Sequence, residues 1–165
     1  MKKVLSLLLF CFSLNALDNK NIDDIDNMMN NCAEKKDYNC LKLGNFFIEE
    51  LNKKTAEENN EKLFFNGAIG AFELACDNGF GKGCGWLSII YRGDKFGKTN
   101  IHKEQNKVLA IGYLFRGCLF EEDSCCFKIG KEYKEYNRIL AVRFFKKACE
   151  LGNKEGCSEL SEVLK

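Results

Sequence analysis

Apolar residues in this chain recur at intervals of three, four and seven rather than two, so the hydrophobic pattern is that of amphipathic helices, not strands. Helices are predicted over about 20–35, 38–53, 60–78, 82–92, 104–119, 124–136, 138–151 and 154–164. Turn chemistry separates them two by two: Asn78-Gly79 with Gly81 and Gly83, then Gly152-Asn153 with Gly156. Gly152 stands where a helix C-cap is expected.

The cysteines expose a repeat. Cys32 and Cys40, Cys76 and Cys84, Cys118 and Cys126, and Cys149 and Cys157 each form C-x7-C, and Cys125 is left over. With these pairs aligned, the neighbours agree. Three residues after the second cysteine stand Leu43, Leu87, Ile129 and Leu160, followed by Gly44, Ser88, Gly130 and Ser161. Three further on come Phe47, Tyr91, Tyr133 and Leu164. Four before the first cysteine stand Met28, Phe72, Leu114 and Phe145, and four before the last three of those are Ala68, Ala110 and Ala141. A large, a small and a second large residue kept in phase four times marks an internal repeat, with cores at about 28–47, 72–91, 114–133 and 145–164. Each cysteine pair joins the end of one helix to the start of the next. The product is an all-α stack of antiparallel helix pairs, each touching mainly its neighbours.

Composition narrows the class. The 165 residues suffice for one domain with a core, and the absence of proline argues against a Pro-rich disordered chain. With 25 basic and 24 acidic residues the chain lacks the cationic excess that nucleic acid or an anionic membrane demands. Ten cysteines mean either disulfides in an exported protein or metal-binding thiolates. Met1-Lys2-Lys3, an apolar run over 4–14, Ala16 and then the polar Asp18-Asn19-Lys20 have the layout of a signal peptide, too short for a permanent span. Cleavage is expected after Ala16, leaving a domain over 17–165 with nine cysteines. Lipid attachment at Cys11 is disfavoured because Phe10, not a small residue, precedes it. The protein is therefore expected to be secreted or periplasmic and bacterial, with no stable membrane span after cleavage.

Ala68-x-x-x-Phe72-x-x-Ala75-Cys76, with Gly79, Cys84, Leu87, Ser88 and Tyr91, resembles the disulfide-bridged Sel1-like repeat, and most closely the Helicobacter cysteine-rich protein type. Ala141-x-x-x-Phe145-x-x-Ala148-Cys149-Glu150-Leu151-Gly152 is the most faithful copy. The resemblance covers about 21–164. It implies an α/α solenoid of four repeats, similar in shape to tetratricopeptide repeats, and exported proteins that bind partners; some relatives are described as β-lactamases or penicillin binders. It also implies bridges Cys32–Cys40, Cys76–Cys84, Cys118–Cys126 and Cys149–Cys157, each closing a short loop worth about 2.5 kcal/mol in the chain-entropy model. The chain departs from the family in spacing: its second cysteines are 44, 42 and 31 residues apart (40 to 84, 84 to 126, 126 to 157), with the excess in 52–61 and 94–106.

Little in the sequence supports chemistry. Seven residues between cysteines is the wrong spacing for zinc, there is no C-x-x-C, and His102 is the sole histidine, so no metal or cofactor is expected. None of Ser6, Ser13, Ser88, Ser124, Ser158 and Ser161 opens an S-x-x-K, which leaves a β-lactamase-type hydrolase as an alternative resting on resemblance alone. A Cys125–His102 nucleophile pair has nothing to bring it together, and Glu57-Glu58 and Glu121-Glu122 read as solvated charge. No catalytic residue is assigned.

A binding surface is the better candidate. Two residues after the second cysteine stand Lys42, Trp86, Lys128 and Glu159; three further on stand Asn45, Ile89, Lys131 and Glu162; then come Phe46, Ile90, Glu132 and Val163. Trp86, Ile89 and Ile90, with Phe46 alongside, put apolar groups where other repeats are polar, which predicts a surface for an unidentified protein, peptide or cell-wall partner. The competing reading is that Phe96 and Ile101 fold over this patch and bury it. Cys125 shares its column with Asn39, Gly83 and Gly156, and is expected to be a free thiol, partly exposed at a helix start, with a lowered pKa and open to a disulfide-linked dimer. A slip of one residue in the third repeat would bridge Cys125 to Cys118 instead.

Overall fold

The computed structural model describes residues 19–34, 38–52, 58–93 and 105–165. The described residues form eight helices and no strand: α1 Asn19–Ala33, α2 Asn39–Asn52, α3 Glu58–Asp77, α4 Gly81–Arg92, α5 Lys107–Leu119, α6 Asp123–Tyr133, α7 Arg138–Glu150 and α8 Lys154–Val163. The fold is the expected α/α solenoid of four helix pairs. The largest departures from the predicted bounds are three residues each: α5 starts at Lys107 and α6 stops at Tyr133, with 134–136 forming a turn. Every helix packs on the one before and after it, and the second helices of successive repeats also meet, α4 on α6 and α6 on α8.

The helix ends follow from the local sequence. Asn106, Asn137 and Asn153 cap α5, α7 and α8, each side chain accepting from the N–H three residues on. Within the last three pairs one turn recurs. The N–H groups of Phe80, Glu122 and Asn153 donate to the carbonyls of Ala75, Gly117 and Ala148. The residue before each of them is left-handed: Gly79 at φ 89°, Glu121 at 59° and Gly152 at 97°. This is a Schellman-type stop, and glycine is the usual residue at its positive-φ position. The turn brings the cysteines together: Cys32–Cys40, Cys76–Cys84, Cys118–Cys126 and Cys149–Cys157 are bridged across Cα separations of 4.5–4.8 Å.

The small residue after each Leu or Ile explains how the pairs stack. A Cβ on Gly44 would overlap the ring of Phe72, and one on Gly130 would lie 2.5 Å from the ring of Phe145. The second helix of one pair thus provides a slot for the aromatic ring of the next. Ser88 holds the same register, its hydroxyl turned back to donate to the Gly85 carbonyl at 2.7 Å, and the ring's register in the following repeat is taken by the smaller Leu114. The core runs along these contacts: Ile25, Leu43, Phe47, Phe72, Leu87 and Ile90 in the first half, Leu114, Cys126, Ile129 and Ala148 in the second. The outer face of α8 carries exposed Glu155, Ser158, Ser161 and Glu162.

Candidate functional site

The patch predicted on α4 is divided by the structure. Ile90 is 1% exposed and belongs to the core, which corrects its assignment to a binding surface. The reason is helical phase: Ile90 lies three residues after Leu87 on the inward face, and Val163 in the same column is buried too. Glu132, the column's charged member, reaches out to Arg92 at 2.7 Å. Trp86, Ile89 and Phe46 are partly buried. Trp86 lies flat on Phe72, ring centroids 5.5 Å apart and planes 17° apart, and Phe46 meets Phe47 edge-on at 5.7 Å. Trp86 therefore roofs the ring seated in the Gly44 slot, and is a half-buried packing residue. The cover suggested from Phe96 and Ile101, like His102, lies outside the described residues; the Asn106 N–H donates to the Tyr91 carbonyl at 2.7 Å.

Beside Trp86 a groove runs between α4 and α6. It has a volume of about 160 Å³ and is lined by Lys82, Gly85, Trp86 and Ile89 on one side and Glu122, Ser124 and Lys128 on the other. Gly85 makes the floor; its column holds Leu41, Phe127 and Ser158 in the other repeats. The Ser124 hydroxyl donates to the Glu122 carboxylate at 3.0 Å. One repeat later the corresponding junction, between α6 and α8, is filled by charge. Glu159, in Trp86's column, takes Lys131 at 3.0 Å and Lys134 at 2.8 Å. Hydrogen bonds from Lys134 and then Lys131 hold the Glu159 carboxyl below the ordinary carboxylate range, and Glu159 in turn raises Lys134.

A second, larger cavity of about 290 Å³ lies where α4 ends, lined by Arg92, Gln105, Lys107, Ala110, Ile111 and Glu132. Two of its lining residues, Arg92 and Glu132, form an ion pair at 2.7 Å. Nearby, Tyr113 stacks on Tyr91 at 5.5 Å, and burial, then Glu73, push its phenol pKa up.

Cys125 is the free cysteine among the described residues, but it is buried at 0% exposure, which corrects the expected exposed thiol. Its sulfur lies in the seam between the second and third pairs, against Gly117 and beneath Gly85, with the Gly81 carbonyl 4.0 Å away. Burial first, then Glu122, push its pKa up to about 12, the opposite of the lowering expected at a helix start. A thiol so placed is a poor nucleophile and a poor partner for a disulfide-linked dimer. The signal that would have shown this is the swap of small residues around it: Ala75 with Gly83 and Ala148 with Gly156, but Gly117 with Cys125. Among the described residues no cluster of three or more His, Cys, Asp or Glu side chains could hold a metal ion.

The stack matches a solved structure over most of its length. The crystal structure of a Sel1 repeat protein from Oxalobacter formigenes superposes with a TM-score of 0.64 at 14% identity, covering 84% of this chain and 98% of that one. The chain has the Sel1-repeat fold. No family model and no curated protein matches it. No described helix of this Sel1-repeat stack is long and apolar enough to cross a membrane.

Proposed function

We propose that this chain is an exported, disulfide-stabilised Sel1-repeat scaffold that binds a protein or peptide partner on the outer face of its second helices. The observation that carries the reading is the groove beside Trp86, where Ile89 replaces the polar Asn45, Lys131 and Glu162 of other repeats and Gly85 replaces the larger Leu41, Phe127 and Ser158. An aromatic residue lining a groove is a common anchor for a partner's side chain. Export rests on the apolar N-terminal run over 4–14 followed by Ala16, and four disulfides suit an oxidising compartment. The secreted chain should begin at Leu17 on N-terminal sequencing.

The test is affinity capture with the oxidised protein and its Ile89→Lys variant side by side. Lysine is what the third repeat carries at this position, as Lys131, so the fold should tolerate it. A partner held by the wild type and lost from Ile89→Lys supports the surface. Equal capture by both places the partner elsewhere.

A further inference from the structure

The two junctions between second helices differ in one instructive respect. Between α6 and α8, a carboxylate in the Trp86 column meets two ammonium groups one repeat back. Between α4 and α6 that column holds Lys128, and the Lys131 position holds Ile89. Arg92, in the Lys134 register, turns to Glu132 instead. Glu122 is the acid in this groove, and it accepts from Ser124. Neither Lys82 nor Lys128 has an ion pair among the described residues. The junction thus offers an apolar wall, a side-chain-free floor and two ammonium groups, and lacks the carboxylate that completes its counterpart.

We propose that the groove between α4 and α6 takes a peptide segment carrying an apolar side chain next to an acidic one, the carboxylate pairing with Lys128 as Glu159 pairs with Lys131 and Lys134. The apolar side chain lies on Gly85 between Trp86 and Ile89. Gly85 contributes no side chain to this floor, where other repeats carry Leu41 and Phe127, and the Cys125 sulfur lies beneath it, 3.3 Å from where a Gly85 Cβ would be. Charge complementarity selects the acid, since both exposed or half-exposed cations flank the apolar wall and the groove's own acid is already hydrogen-bonded. This inference rests on the binding reading above and names the partner's chemistry.

Trp86 is the chain's single tryptophan, so its emission reports occupancy of this groove directly. The probes are blocked tetrapeptides, acetyl-Gly-Phe-Asp-Gly-amide and its Asn, Lys and Ala-Asp analogues, titrated into the oxidised protein. The Phe-Asp peptide should shift the emission saturably, with the Phe-Asn and Ala-Asp peptides about tenfold weaker. Lys128→Glu should lose the Phe-Asp peptide and gain the Phe-Lys one, a reversal that misfolding cannot produce. Equal binding of Phe-Asp and Phe-Asn would overturn the carboxylate while leaving the apolar surface standing. No response to any peptide, while Ile89→Lys still loses a captured partner, overturns the groove but not the scaffold. Silence in both experiments overturns both.

Discussion

The sulfur of Cys125 sits 2.5 Å from where a methyl group on Gly117 would be. In the second and fourth pairs the arrangement is reversed. Ala75 and Ala148 supply the methyl group, and a Cβ on the facing Gly83 or Gly156 would come within 2.7 or 2.8 Å of it. In these three pairs the helices cross so closely that there is room for one side chain at this point, on either helix but not on both. Gly117→Ala should therefore destabilise the protein by about 1–3 kcal/mol through overpacking. Cys125→Gly alone leaves a small void and costs less. The double variant Gly117→Ala with Cys125→Gly copies the second and fourth pairs and should recover most of the loss. Denaturant unfolding of all four proteins gives the coupling, expected at about 1–3 kcal/mol.

Glu121 stands at φ 59° where the sister turns place Gly79 and Gly152. An L-residue in this left-handed conformation is strained by about 1–2 kcal/mol relative to glycine, offset in part by glycine's greater freedom when unfolded. Glu121→Gly should raise the melting temperature, and a drop would show that the Glu121 side chain contributes more than its backbone costs.

Much of this molecule was legible in the cysteine register, and what was lost is a matter of direction. The pairing of helices, the four bridges and the small-residue column all follow from one repeat, because close helix approach leaves its mark as Gly44 and Gly130. The column of Trp86 reads as solvent-facing because lysine and glutamate occupy it elsewhere. The structure shows Glu159 pairing across to Lys131 and Lys134 of the neighbouring repeat, and Trp86 stacking on Phe72 within its own repeat. The Ile90 column mixes Glu132 with Phe46 and Val163, so its inward phase is visible only in the structure, where Ile90 and Val163 are both buried. Cys125 was misplaced because its column contains glycine, read as turn rather than as closeness; the compensating Gly117 on the other helix carried the information.

The buried thiol gives the protein an alkaline limit. Below about pH 8.5 the cysteine is protonated folded or unfolded, and its raised pKa has no effect. Above that the unfolded chain ionises while the folded one does not until its pKa of about 12 is reached. Unfolding then gains up to about 1.4 kcal/mol per pH unit. Melting temperatures of the wild type should fall more steeply between pH 9 and pH 11 than those of Cys125→Ala, within this window set by the unfolded and folded pKa values. Parallel slopes would mean that the thiol is not the titrating group.

Trp86→Ala should cost about 1–3 kcal/mol, because it uncovers Phe72 and removes a stacked ring, yet leave the helical spectrum intact under non-reducing conditions. A loss below about 0.5 kcal/mol would show that the ring is a surface ornament and not part of the seam.

The central claim is the register: four pairs, each stapled within itself, with the odd sulfur locked inside. Alkylation of the non-reduced protein, native and then denatured, followed by peptide mapping, tests it most directly. The account predicts bridges Cys32–Cys40, Cys76–Cys84, Cys118–Cys126 and Cys149–Cys157, with Cys125 unlabelled in the native protein and labelled once after unfolding. A Cys118–Cys125 bridge, a bridge between different pairs, or rapid native labelling of Cys125 would contradict it.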